Sequence, residues 1–63
     1  MTKAQWTAVY HYCDEYGYDS PRELLAELKA NGTVERNTTL KELSEYADGT
    51  GYDDMYRFLE ENL

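Results

Sequence analysis

The sequence predicts an all-α domain, a compact bundle of four short helices at about 3–16, 21–30, 40–47 and 51–62. Two observations carry this expectation. Capping boxes recur at Thr2…Gln5, Ser20…Glu23 and Thr39…Glu42, each a hydroxyl residue followed three positions later by Glu or Gln. Between them, apolar residues fall at helical spacing. The clearest case is Tyr52, Met55, Tyr56, Leu59 and Leu63, the i, i+3, i+4, i+7 pattern of one buried stripe.

The first helix opens at the Thr2–Gln5 box, with Trp6, Val9, Cys13 and Tyr16 as its inward face, Tyr10 beside them and Tyr12 at the edge. Gly17 supplies the left-handed residue of a Schellman ending, which brings Tyr18 back toward Cys13. In the second helix Ser20 is the expected N-cap, Pro21 occupies the first helical position and Glu23 closes the box. On that reading Ser20→Ala costs about 0.5–2 kcal/mol. Leu24, Leu25 and Leu28 face inward, and Asn31-Gly32 stops the helix.

Residues 33–38 form a polar connector in which Val34 plugs the end of the core, with at most one short β pairing near it. Leu40, Leu43 and Ala47 point inward from the third helix, and Tyr46 flanks them. Thr50 caps the last helix, whose outer face carries an Asp53–Arg57–Glu61 ladder at i, i+4 spacing; Phe58 flanks its buried stripe. The expected core is Trp6, Val9, Leu24, Leu28, Leu40, Leu43, Tyr56 and Leu59.

Sixty-three residues make a single small helical domain, 1–63, near the lower limit for folding without a metal or disulfide. Seven tyrosines suit so thin a core, since each buries a ring and keeps a polar tip in water. Cys13 is the only cysteine, which excludes an internal disulfide and fits a reducing compartment. No signal peptide or membrane span is legible, so an intracellular, cytoplasmic protein is expected. Asn31-Gly32-Thr33 and Asn37-Thr38-Thr39 therefore read as turn and cap chemistry rather than glycosylation acceptors.

Thirteen acids against six bases give a net charge of −7. From residue 40 onward there are seven acids and two bases, a net of −5, which leaves −2 for the first 39 residues. Direct nucleic-acid binding needs a basic patch and is not expected. Leu24-Leu25-Ala26-Glu27-Leu28-Lys29, Gly32 and Leu40-Lys41-Glu42-Leu43 resemble in outline the helix–loop–helix of SAP-type DNA-binding modules. The resemblance implies a helical-hairpin shape only, because acids stand where the basic surface would be.

Asp48-Gly49-Thr50-Gly51-Tyr52 resembles the middle of an EF-hand loop, but the flanking ligand positions hold Tyr46 and Arg57, and no metal site is expected. His11 has no second histidine, and Cys13 lies in an apolar stripe away from any base. The carboxylates are explained by caps, dipoles and solvated faces, so neither enzymatic activity nor a cofactor is expected. A ligand-binding domain would need a cleft that so small a core can hardly supply.

The expected function is non-catalytic interaction with a protein partner, itself basic or nucleic-acid-binding, as a small inhibitor or adaptor. The candidate binding residues are the acids Glu42, Glu45, Asp48, Asp53, Asp54, Glu60 and Glu61, with Tyr12, Tyr46 and Phe58 as an aromatic patch. The alternative is an auxiliary helical module that docks through the aromatic patch, which Tyr18 would extend, with charge serving only solubility.

Overall fold

The Thr2–Gln5 box forms in full in the computed structural model, which describes all 63 residues. Gln5 N–H donates to Thr2 Oγ1 at 3.1 Å, and Thr2 N–H donates to Gln5 Oε1 at 2.9 Å. This box opens α1, Lys3–Tyr16. Gly17 ends it at φ 81°, and Tyr18 N–H reaches back to the Cys13 carbonyl at 2.9 Å, as in a Schellman ending. α2 follows at Pro21–Ala30, then a 3₁₀ helix at Lys41–Tyr46, then α3 at Tyr52–Asn62. The molecule is an all-α bundle of four short helices in which α1 packs mainly against α3 and less extensively against α2.

No strand forms near Val34. Gly32, at φ 82°, lets the chain fold back over the end of α2, and the N–H groups of Thr33 and Val34 donate to the Leu28 carbonyl at 3.0 and 3.4 Å. Those donors are thereby withdrawn from any ladder, and Val34 drops into the core as a plug. Asn31 acts in the turn as its chemistry predicts. Its Oδ1 accepts from Thr33 N–H and Oγ1, while its Nδ2 donates to the Asn62 carbonyl at 2.8 Å and ties α2 to the end of α3.

Four features depart from the sequence expectation. The buried stripe of α1 is Gln5, Ala8, Val9, Tyr12 and Cys13, rotated roughly 50° from the expected face at 100° per residue. Gln5 causes the rotation: its Nε2 donates to the Gly49 carbonyl at 2.9 Å, so both ends of the amide are satisfied and it is buried at 1% exposure. Trp6 consequently stays half-buried at the rim beside Tyr10, and Tyr16 is exposed. Tyr12 moves from the edge into the core.

The second departure is Ser20. It takes the extended conformation of an N-cap, but its side chain makes no capping bond. The Glu23 carboxylate reaches one residue further, to the Asp19 N–H at 3.1 Å, and the N–H groups of Glu23 and Leu24 both bond the Ser20 carbonyl. The third is the start of α3. Gly51, not Thr50, is the N-cap, and the Asp54 carboxylate accepts from the Gly51 N–H at 3.3 Å. The Thr50 carbonyl accepts from Thr2 Oγ1 at 2.6 Å, which fastens the loop before α3 to the start of α1.

The last departure is the third helix, wound as 3₁₀ rather than α. Its only fully buried side chain is Leu43, the Ser44 hydroxyl takes the Lys41 carbonyl at 3.1 Å, and Ala47 is already extended. Leu40 and Ala47 still pack half-buried against the core as the sequence predicts, and Tyr46 stays exposed at the flank. Leu40 and Tyr56, expected in the core, pack half-buried against it, while Leu25, Val34 and Met55 join Val9, Leu24, Leu28, Leu43 and Leu59 inside.

Stability should follow these bonds rather than the sequence motifs. Gln5→Ala is expected to cost about 1–3 kcal/mol, because the Gly49 carbonyl and the Thr2 N–H lose a partner at once. Gln5→Glu should be of similar cost, since it keeps the acceptor and loses the donor. Ser20→Ala should fall within about 0.5 kcal/mol of the parent, as for other substitutions that remove no bond. Thermal melts of the three variants check the order, and a Ser20→Ala variant less stable than Gln5→Ala would contradict it.

Candidate interaction surface

The acids separate into structural and free groups. Glu42 is held in a box, its Oε1 accepting from Thr39 N–H at 3.1 Å and Thr39 Oγ1 at 2.9 Å. Those bonds, the hydroxyl's first, hold its carboxyl below the usual carboxylate range. Asp54 is half-buried as the cap of α3, and a Cβ added at Gly49 would lie 2.8 Å from its Cγ, so that glycine makes room for the cap. Asp53, Glu60, Glu61, Asp48 and Glu45 are exposed. Glu45 borders a shallow hollow with Met1 and Thr50, apart from the others.

The aromatic residues divide in the same way. Tyr12, expected on a surface patch, is 4% exposed and forms the centre of a cluster. Tyr16 stacks on it at 4.2 Å between ring centroids, Tyr56 meets it edge-on at 5.5 Å, and Tyr18 lies at 6.2 Å. Tyr52 stacks on Tyr56 at 5.6 Å and meets His11 edge-on, the Tyr52 hydroxyl lying 3.3 Å from His11 Nδ1. The Tyr56 hydroxyl donates to the Glu15 carboxylate. This array joins α1 to α3 and is a packing device. Tyr46 and Phe58 pair elsewhere, at 6.3 Å, because Phe58 points roughly 200° around α3 from Tyr56.

Around the Tyr46–Phe58 pair the structure opens a cleft of about 300 Å³. Asp48 and Glu61 supply its carboxylates, and Arg57 is its one cation. Thr33 and Asn62 complete the wall where α2 is tied to α3. The cleft therefore gathers Tyr46, Asp48, Phe58 and Glu61 out of the ten candidate residues, and leaves Glu42, Glu45, Asp53, Asp54, Glu60 and Tyr12 outside it. Thr33, Arg57 and Asn62 were not among the candidates. Their signals were present, Thr33 in the Asn-Gly-Thr turn and Arg57 in its i+4 spacing to Glu61, but only the tertiary fold brings them together. Chemically, two carboxylates beside two rings suit a cationic side chain, with charge-assisted hydrogen bonds at its head and ring faces along its stem.

The loop that resembles part of an EF-hand is committed to the fold. Its Gly49 and Thr50 carbonyls accept from Gln5 and Thr2, and the Asp54 carboxylate turns back on Gly51. Cys13 is buried, and burial pushes its thiol pKa up, away from nucleophile chemistry. No helix is long and apolar enough to cross a membrane. Comparison with known proteins finds no match: no family model, no curated protein and no solved structure resembles the chain closely enough to place it.

The tyrosine array has a measurable pH signature. Burial raises the pKa values of Tyr12 and Tyr18, and the hydrogen bond to Glu15 raises that of Tyr56, all from an ordinary value of 10.0. Because the folded pKa values lie above the unfolded ones, the unfolded chain loses these protons first as pH rises. Their contribution is fully present below about pH 10 and is lost above it. Melting temperature should fall as pH rises beyond 10, and tyrosinate absorbance should titrate late for three of the seven rings. Glu15→Gln should bring Tyr56 back toward its ordinary value. A titration unchanged by Glu15→Gln would show that the carboxylate does not hold that hydroxyl.

Proposed function

We propose that this chain is a non-catalytic protein-interaction domain, an inhibitor or adaptor that engages a basic segment of its partner at the Tyr46–Phe58 cleft. The observation that carries the reading is the convergence of Asp48 and Glu61 on an aromatic pair in one concave site. A partner Arg or Lys laid across Phe58 and Tyr46 would enter the cleft that Asp48 and Glu61 line. Arg57 in the wall narrows the choice, since a second cation is accepted only where it faces the acids and not the guanidinium. The net charge of −7 supports the same polarity of partner, accelerating encounter with a basic surface and discouraging an acidic one. A partner whose own basic site binds nucleic acid fits this description, with the domain occupying that site in competition.

An arginine-rich peptide is a suitable probe, followed by amide chemical shifts of the labelled chain. Shifts are expected at Tyr46, Asp48, Phe58 and Glu61. Asp48→Asn combined with Glu61→Gln should weaken binding about three- to tenfold and flatten its salt dependence. Charge removal at Glu45, Asp53 and Glu60, outside the cleft, should slow association and leave the dissociation rate nearly unchanged. If the outer three matter as much as the cleft pair for dissociation, the cleft is not the site. The second reading, an auxiliary module docking through aromatic surface, rests on the half-buried Phe58. It would be favoured if Phe58→Ala abolished binding while salt had little effect.

A further inference from the structure

The largest concavity of the molecule shares no lining residue with the cleft and carries the opposite charge. It is an open groove of about 600 Å³ between α2 and residues 37–41. Arg22, Leu25, Ala26 and Lys29 follow i, i+3, i+4, i+7 spacing, so they form one face of α2. The two cations stand two turns apart, roughly 10.5 Å along the helix axis, with the apolar pair between them. Lys41 and the half-buried Leu40 face them from the opposite wall. Every charged residue lining the groove is therefore a cation, half of the six that the chain contains, in a protein of net charge −7. Asn37 and Thr39 add exposed neutral polar groups, and the buried Thr38 lies between them.

We propose that this groove is a binding site for a small amphiphilic anion, a carboxylate or phosphate monoester joined to an apolar body. Three features select that class. Arg22 presents a planar fork suited to carboxylate or phosphate oxygens, and the two lysines add point charges. Leu25, Ala26 and Leu40 offer an apolar floor that a bare inorganic anion would leave exposed to water. The volume falls within the range of small-molecule sites, roughly 300–1,000 Å³. The overall charge selects against polyanions: repulsion from the acidic remainder grows with the charge of the ligand, so an anion of one or two charges is admitted where a nucleic acid or an acidic protein is not. Glu42, next to Lys41 in the chain, is turned onto Thr39 N–H and Oγ1 and is held there by both bonds. The site is separate from the Tyr46–Phe58 cleft and does not depend on its role.

The test uses the intact chain, ¹⁵N-labelled, titrated with sodium octanoate and with octyl phosphate below their micelle-forming concentrations. Octylammonium and inorganic phosphate serve as controls. Saturable shifts are expected at Leu25, Ala26, Lys29 and Thr39 through Lys41 with one or both octyl anions, and the headgroup that binds tells carboxylate from phosphate. Octylammonium should leave those amides unmoved, and inorganic phosphate should bind far more weakly. Arg22→Gln, Lys29→Gln and Lys41→Gln should each weaken affinity roughly two- to fivefold, and the triple variant more than about tenfold. Ala26→Glu keeps all three cations and a good helix former while placing an acid on the floor, and should abolish binding. Far-ultraviolet circular dichroism confirms that each variant is folded. The proposal is overturned if the octyl anions shift residues elsewhere, if octylammonium or inorganic phosphate binds as well as they do, or if the folded triple variant keeps the parent affinity.

Discussion

The amide of Gln5 is the contact on which the arrangement of the helices depends. It is a polar side chain at a core position of α1, buried at 1% exposure, with its oxygen on Thr2 and its nitrogen on Gly49. A buried amide without partners costs several kcal/mol, so α1 must be rotated to bring Gln5 against the loop before α3. That rotation decides which of its other residues enter the core. Ala8 goes in and sets no bulk between the helices, Tyr12 follows one turn later, and Trp6 is left at the rim. Thr2 completes the clamp, accepting from Gln5 while donating to Thr50. The start of α1 and the approach to α3 are thus joined by polar bonds, and the apolar packing of α1 on α3 continues from that joint.

The 3₁₀ segment has a comparable influence on the surface. Leu43 is buried, Leu40 and Ala47 pack half-buried on the core, and Tyr46 is directed aside. The 3₁₀ turn is short, and Leu43 is the only side chain in it that is wholly enclosed. The same short element then serves both concavities: Lys41 at its start lines the basic groove, and Tyr46 at its end lines the acidic cleft. The Thr38 hydroxyl, on the groove side, lies 3.5 Å from the Tyr46 hydroxyl. A segment fixed by one buried leucine and a Thr39–Glu42 box therefore positions side chains in two concavities of opposite charge.

Much of the fold was legible because capping and stop signals are local. The bounds of α1 and α2, the left-handed glycine at 17, the stop at Asn31-Gly32 and the buried plug at Val34 all follow from a few neighbouring residues. What escaped depends on partners far away in the chain. Ranking α1 by apolarity favours Trp6 over Gln5, and nothing local shows that Gly49 is waiting as an acceptor. Ser20 and Glu23 have the letters of a box, yet the carboxylate finds the Asp19 N–H instead. Thr50 looks like a cap until its carbonyl is claimed from α1. The cleft was half legible: Tyr46, Asp48, Phe58 and Glu61 were all candidates, but their grouping required the tertiary fold. The groove was hidden by the net charge, since an average of −7 conceals three cations that only the α2 face and the loop after it bring together.

That concealment bears on how the acidity itself should be read. Glu23, Glu42 and Asp54 each accept from a backbone N–H where a helix or 3₁₀ segment begins, and Glu15 holds the Tyr56 hydroxyl. These four act within the fold, at helix starts and at the α1–α3 contact, and one oxygen of each is already occupied. They still add to the long-range field, which depends on charge and not on hydrogen-bonding vacancy. None of the four lines the cleft, so they add little to short-range recognition there. Steering and docking therefore draw on different sets of residues: all thirteen acids set the field, whereas the cleft presents two of them beside one arginine. Sequence charge alone measures the first quantity and overstates the second.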